Sequence, residues 1–190
     1  PGAGATRHAL VEKLALASVL LLFIADLLQL YSVWVAGIAL IGAIAHGVRL
    51  YLWRPWRTLA VPLVWILHAA YAWIVCHLAL RALSEFGLLA DTFAIHALTV
   101  GAIGGLTIGM MTRTARGHTA RPLVADRYEL TCFLLIQVAA MVRVFGGMVS
   151  VDLYMVSVQV SSALWAAAFG LYAVRYWPVL TRPRLDGKPG

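Results

Sequence analysis

Apolar residues in this chain gather into six long runs, 14–30, 33–52, 59–80, 92–111, 128–149 and 153–174. A bilayer core of about 30 Å takes roughly 20 apolar residues as a helix, at about 1.5 Å of rise per residue. Every run has a suitable length. Hydrocarbon offers no partner to backbone N–H and C=O groups, so runs without strand-like alternation leave the helix as the workable conformation. The pattern predicts an all-α integral membrane protein, a six-helix transmembrane bundle forming one domain over 1–190.

Composition agrees, with 62% hydrophobic and 12% charged residues, against about 45–50% and 25% in soluble domains. A water-soluble globule is excluded. The 15 Lys+Arg outnumber the 8 Asp+Glu, but in so apolar a chain the surplus points to loops at a membrane surface and not to nucleic acid. Arg7, Lys13, Arg49, Arg54, Arg57, Arg113, Arg116, Arg121, Arg127, Arg175, Arg182, Arg184 and Lys188 all fall on one side of the alternating spans. Only Arg81 falls on the other, near Asp26, Glu85, Asp91 and Asp152. The positive-inside rule then predicts two cytoplasmic termini.

Arg7 and Lys13 before the first run also resemble the start of a signal peptide. No Ala-x-Ala-like site follows, and losing the run would break the charge alternation, so it is expected to stay. Trp34 on one side and Trp53, Trp56 and Trp177 on the other suit interfacial belts, while Trp65, Trp73 and Trp165 lie within spans as packing residues. Cys76 and Cys132 lie in apolar runs, imply no disulfide framework and read as packing residues.

Ionisable side chains inside a membrane are costly, which makes them functional candidates. Four histidines, His46, His68, His77 and His96, fall within the spans. Counted from the basic side, their depths are roughly 9, 14, 27 and 22 Å. Two levels result, His46 with His68 and His77 with His96. His68 and His77 share a run but sit nine residues apart, roughly on opposite faces, and cannot serve one metal. Imidazoles from facing helices at one depth are the arrangement a b-type haem needs; the alternative is that each histidine bonds a hydroxyl or carbonyl across a helix interface.

Gly101, Gly105 and Gly109 form a stripe that permits close helix packing, pointing away from His96 on a regular helical wheel. On that wheel His96 shares a weakly polar strip with Thr99, Thr107 and Met110, which could line a cofactor or water path. Arg143, at roughly 9 Å depth from the other side, is expected to snorkel to the interface. Its alternatives are a salt bridge to Asp152 or Asp26, or a clamp on an anionic cofactor group such as a haem propionate.

The stretch HALTVGAIGGLTIGMMTR from His96, followed by TARGHTAR to Arg121, resembles the signature of the NnrS family. PLVWILH at 62–68 with Tyr71 and Trp73, the pair His46 and Arg49, and the terminal PRLDGKPG at 183–190 extend the resemblance through most of the chain. It implies a bacterial inner-membrane protein carrying haem b and copper, linked to nitric oxide metabolism, denitrification or nitrosative stress. It also implies a family chain about twice as long, of roughly twelve spans, matched here by its C-terminal half. A second half-chain or a membrane redox partner would then complete a shared site. His46, His68, His96 and His118 match the family pattern and become its haem and metal candidates, whereas His77 departs from it. His118 lies in the basic connection, where Gly117 permits a turn toward the bundle mouth and Met110 or Met111 offers copper a soft ligand.

No nucleophile–base pair, phosphate-binding loop or carboxylate pair is present, so chemistry would belong to a metal centre. Three functions compete: an NnrS-type haem protein handling nitric oxide, a b-type electron-transfer subunit with two haem levels, and a proton or anion transporter without haem. The topology is directly testable. Reporters fused after Glu85 and after Gly117 should report opposite sides of the membrane, and a cytoplasmic signal from both would refute the six-span arrangement.

Overall fold

A computed structural model describes residues 4–187, which leaves Lys188 and the end of the PRLDGKPG motif outside the described residues. Six long helices follow one another: α1 (Ala9–Leu27), α2 (Ser32–Leu52), α3 (Pro62–Glu85), α4 (Asp91–His118), α5 (Arg127–Val149) and α6 (Val151–Leu180). No strand occurs among the described residues. Five of the helices, α2 to α6, are long and apolar enough to cross a membrane. The exception, α1, carries Glu12, Lys13 and Asp26.

Local chemistry sets the ends of these helices. Pro62 opens α3 at a position whose N–H has no partner inside the helix. At α5, Asp126 accepts from the Tyr128 and Glu129 amides while Glu129 reaches back to the Asp126 N–H, a complete capping box. Partial burial alone would raise the Asp126 pKa, but Arg175 and these backbone amides outweigh it and hold its carboxyl below the usual range. The helix α4 runs to His118, past the predicted end of its apolar run at Met111, because backbone bonding and not hydropathy sets its length. It stops where Arg121 N–H meets the Arg116 carbonyl at 2.9 Å and Ala120 N–H that of Gly117 at 3.3 Å. This paired termination needs a left-handed residue, and Ala120 supplies it at φ 57°.

Packing centres on α3, which contributes to three buried clusters. Leu63 and Ile66 join Ile108, Phe133 and Tyr172 toward α4, α5 and α6. Leu78 and Ala82 join Leu22 and Val35 toward α1 and α2, and Trp73 and Leu80 join Ala94 and Val144. The glycine stripe makes the tightest contact. A Cβ at Gly101 would lie 2.4 Å from the Trp73 ring, at Gly105 2.8 Å from Ala70 Cβ, and at Gly109 3.1 Å from Ile66. The Trp73 indole N–H, so placed, donates to Gln137 of α5 at 2.9 Å.

Both α4 and α5 contain a π-helical insert, Ala97–Ile103 and Val142–Gly146. An extra residue per turn rotates everything beyond it, which corrects the expected polar strip. Thr99, Thr107 and Met110 are exposed on the outside of the bundle, whereas His96 is half-buried against Arg143. Outside, Leu16, Leu20, Phe23, Ile41, Ile44 and Val174 form a broad apolar exterior suited to lipid.

Residue Thr6 bonds Leu52 and Leu185 bonds Thr119, so both ends of the described chain share a face with the 53–61 and 119–126 connections. That face carries the bases. On the opposite face Arg81 meets Asp26 and Glu85, each at 2.7 Å. Two stability predictions follow from this packing. Gly105→Leu should lower stability in detergent by about 1–3 kcal/mol through overpacking against Ala70, and an unchanged melting profile would show a loose α3–α4 contact. Ala120→Gly should raise stability by a few tenths to about 1 kcal/mol, since glycine adopts the left-handed conformation without a Cβ penalty; a lower melting temperature would count against it.

Candidate functional site

The four histidines of the spans are set apart by their hydrogen bonds, and His46 and His77, expected at different depths, line one cavity. At the level of the basic face, buried His46 has both ring nitrogens engaged. Its Nε2 lies 3.1 Å from the Ala15 carbonyl, which only accepts, so Nε2 bears the proton. Its Nδ1 then accepts from the Tyr71 hydroxyl at 2.6 Å. Arg49 donates to the same hydroxyl at 3.2 Å and pairs with Glu12 at 2.6 Å, above the Trp53 ring.

Half-buried His68 is arranged differently. The Thr58 hydroxyl donates to the Pro55 carbonyl at 2.7 Å, spending its one proton, so it accepts from His68 Nδ1 at 3.0 Å. His68 Nε2 is left as an unprotonated lone pair, the form in which imidazole binds a metal. The expected facing of His46 and His68 is not what the structure shows. Trp53 packs on His68 at 6.1 Å and on Tyr71 at 4.7 Å, and Tyr71 packs on His46 at 5.6 Å. A relay of aromatic rings joins the two imidazoles.

Further along α3, His77 Nδ1 donates to the Ala94 carbonyl at 2.8 Å, and its Nε2 makes no hydrogen bond among the described residues. It lines a cavity of about 370 Å³ together with His46, Asp26 and Arg81. The carbonyl partner lies across the α3–α4 interface, so His77 and His68 do face different neighbours. His96 meets Arg143 instead: the guanidinium Nη2 lies 2.7 Å from Nε2, which must accept because arginine only donates. Thr92 lies 3.1 Å from the same nitrogen.

Arg143 neither snorkels outward nor meets an acid. Asp26 pairs with Arg81, and the Asp152 amide is capped by Ser150. Both His96 and Arg143 adjoin or occupy π-helical inserts, which recur at functional sites because they re-aim side chains. Arg143 Nη1 is buried with no hydrogen-bond partner, and Arg143 lines a hollow of about 230 Å³ with Val100, Ser161, Ser162 and Trp165. A buried guanidinium N–H without an acceptor is expensive, and an anionic group in that hollow would satisfy it.

His118 ends α4 as an exposed helical residue, and no turn at Gly117 folds it back. It nonetheless shares a hollow of about 550 Å³ with Met110, Met111 and Thr114, one helical face. Among the described residues no three His, Cys, Asp or Glu side chains cluster as a metal site. Sequence reasoning missed the role of Tyr71 and the buried Glu129, 2% exposed, which binds Arg116 at 2.7 and 2.9 Å and accepts from Tyr176. The Asp-x-x-Glu spacing signals the cap but not the arginine.

No curated protein and no solved structure shows significant similarity to the chain. Residues 2–184 match the family described as NnrS protein, which takes in every helix and each histidine discussed above. The chain therefore belongs to the NnrS family.

Proposed function

We propose that this protein is a haem-carrying NnrS-type membrane protein that handles nitric oxide and limits nitrosative stress, with His68 as the residue that would hold the haem. The observation that carries the reading is the Pro55–Thr58–His68 chain of hydrogen bonds, which fixes the imidazole tautomer and leaves Nε2 bare. Metal-bound histidines are held in this way through their other nitrogen. Residues tested against a haem give a mixed answer: His68 and His77 fit as donors, whereas His46 has no free nitrogen and His96 Nε2 is committed to Arg143. His46 with Tyr71 and Arg49 then orients the ring stack next to His68 and does not ligate. Arg143, with its unpartnered nitrogen, suits a propionate.

Bound haem iron supplies a site for a diatomic gas or for one-electron transfer. Copper is proposed at His118 with Met110 and Met111, an imidazole and thioether set that suits that metal. Placement in the bacterial inner membrane with cytoplasmic termini belongs to the same proposal, as does a second half-chain or redox partner completing the site. A second reading, a b-type electron-transfer subunit, is favoured by one observation: His77 also presents a free Nε2, into a cavity.

A reduced-minus-oxidised spectrum of the purified protein with metal analysis tests both. A Soret band is expected, lost or strongly shifted in His68→Ala and altered only modestly in His46→Ala. No haem spectrum in protein isolated with its lipids would overturn the proposal in favour of a transporter. Loss of haem in His77→Ala with an intact spectrum in His68→Ala would move the cofactor to the outer level and favour electron transfer.

A further inference from the structure

A second basic site lies at the face that carries the termini. Arg116, Arg121, Arg175 and Arg182 converge with Glu129 and Tyr176 on a hollow of about 140 Å³. Two of the four are neutralised. Arg116 is held by both oxygens of Glu129, at 2.7 and 2.9 Å, and by the Pro122 carbonyl at 3.0 Å. Arg175 is held by Asp126 at 2.8 Å. Arg121 and Arg182 make no ion pair among the described residues, and Arg121 Nη1 is buried with no hydrogen-bond partner. With Glu129 in the wall and Asp126 outside it on Arg175, two carboxylates offset two of the four cations, and the charges of Arg121 and Arg182 are left over.

The positive-inside rule places arginines on this face but not inside a hollow, since their heads gain by staying in water. A buried guanidinium N–H without an acceptor loses its hydration and gains nothing in return. The backbone beside it is strained as well: Ala120 takes the left-handed conformation at φ 57°, and Arg121 directly follows. The Glu129–Arg116 pair and the Tyr176 hydroxyl form a fixed wall, so the two free guanidinium groups are the part able to accept a ligand.

We propose that this hollow binds a phosphate group, held by Arg121 and Arg182 and screened from Glu129 by Arg116. Two unpaired arginine forks suit several oxygens of one tetrahedral anion, and the surplus charge matches a phosphate. The source is either free phosphate or the headgroup of an anionic phospholipid at the level of the basic loops.

Thermal unfolding of the full chain, delipidated in neutral detergent, tests this with inorganic phosphate against chloride of equal ionic strength. A parallel arm compares nanodiscs of phosphatidylcholine with and without phosphatidylglycerol. Stabilisation by phosphate in detergent identifies the free ion, and stabilisation only with phosphatidylglycerol identifies the headgroup. In either arm Arg121→Gln and Arg182→Gln should each weaken apparent affinity about tenfold, the loss of one charged hydrogen bond. Arg182 is exposed and bonds nothing structural, so its variant keeps the test open should Arg121→Gln fail to fold. Equal stabilisation of the native chain and both variants, or none with either probe, would overturn the proposal.

Discussion

The bundle depends on the close approach of α3 and α4. Along this crossing Gly101, Gly105 and Gly109 present bare backbone to Trp73, Ala70 and Ile66, with no space for a methyl at the first two. In lipid the hydrophobic effect does not hold helices together, so packing at such short range and the few polar bonds it permits carry the association. One of those bonds, Trp73 to Gln137, ties α5 to the same crossing. Trp73 lies at once under α4 and against the cluster around Val144, and so relates the glycine stripe to the helix that carries Arg143.

Polar groups in this protein divide by what their hydrogen bonds leave over. Glu12 with Arg49, Asp26 with Arg81, and Glu129 with Arg116 are pairs that allow charges to sit at the ends of apolar helices. His68, His77, Arg121 and Arg143 each keep a nitrogen unspent. The leftover capacity is of two kinds, lone pairs on histidine and N–H donors on arginine, and the two functions proposed above rest on them separately.

The π-helical inserts connect the fold to this chemistry. Each adds a residue to a turn, and between them they turn His96 and Arg143 toward one another at the outer level. A regular α-helix carrying the same residues aligns His96 with Thr99 and Thr107, which in fact face outward. The insert in α4 starts one residue after His96 and contains Gly101, so the close contact with α3 and the re-aimed histidine belong to one distortion.

The apolar runs were enough to read helices, their approximate number and the segregation of bases to one face, because burial of backbone in lipid and loop charge are sums over residues and need no knowledge of neighbours. The glycine spacing likewise announced a close contact, and the family signature was legible around His96. Which histidine keeps a free nitrogen was not legible. That depends on the Pro55 carbonyl accepting from the Thr58 hydroxyl and on the Ala15 carbonyl accepting from His46 of another helix. The spacing from Asp126 to Glu129 could announce a cap but not the arginine thirteen residues earlier in the chain that Glu129 holds. Hydrogen bonds are decided by distance and direction across helices, and a one-residue change of helical phase redirects them, so these choices belong to the tertiary structure alone.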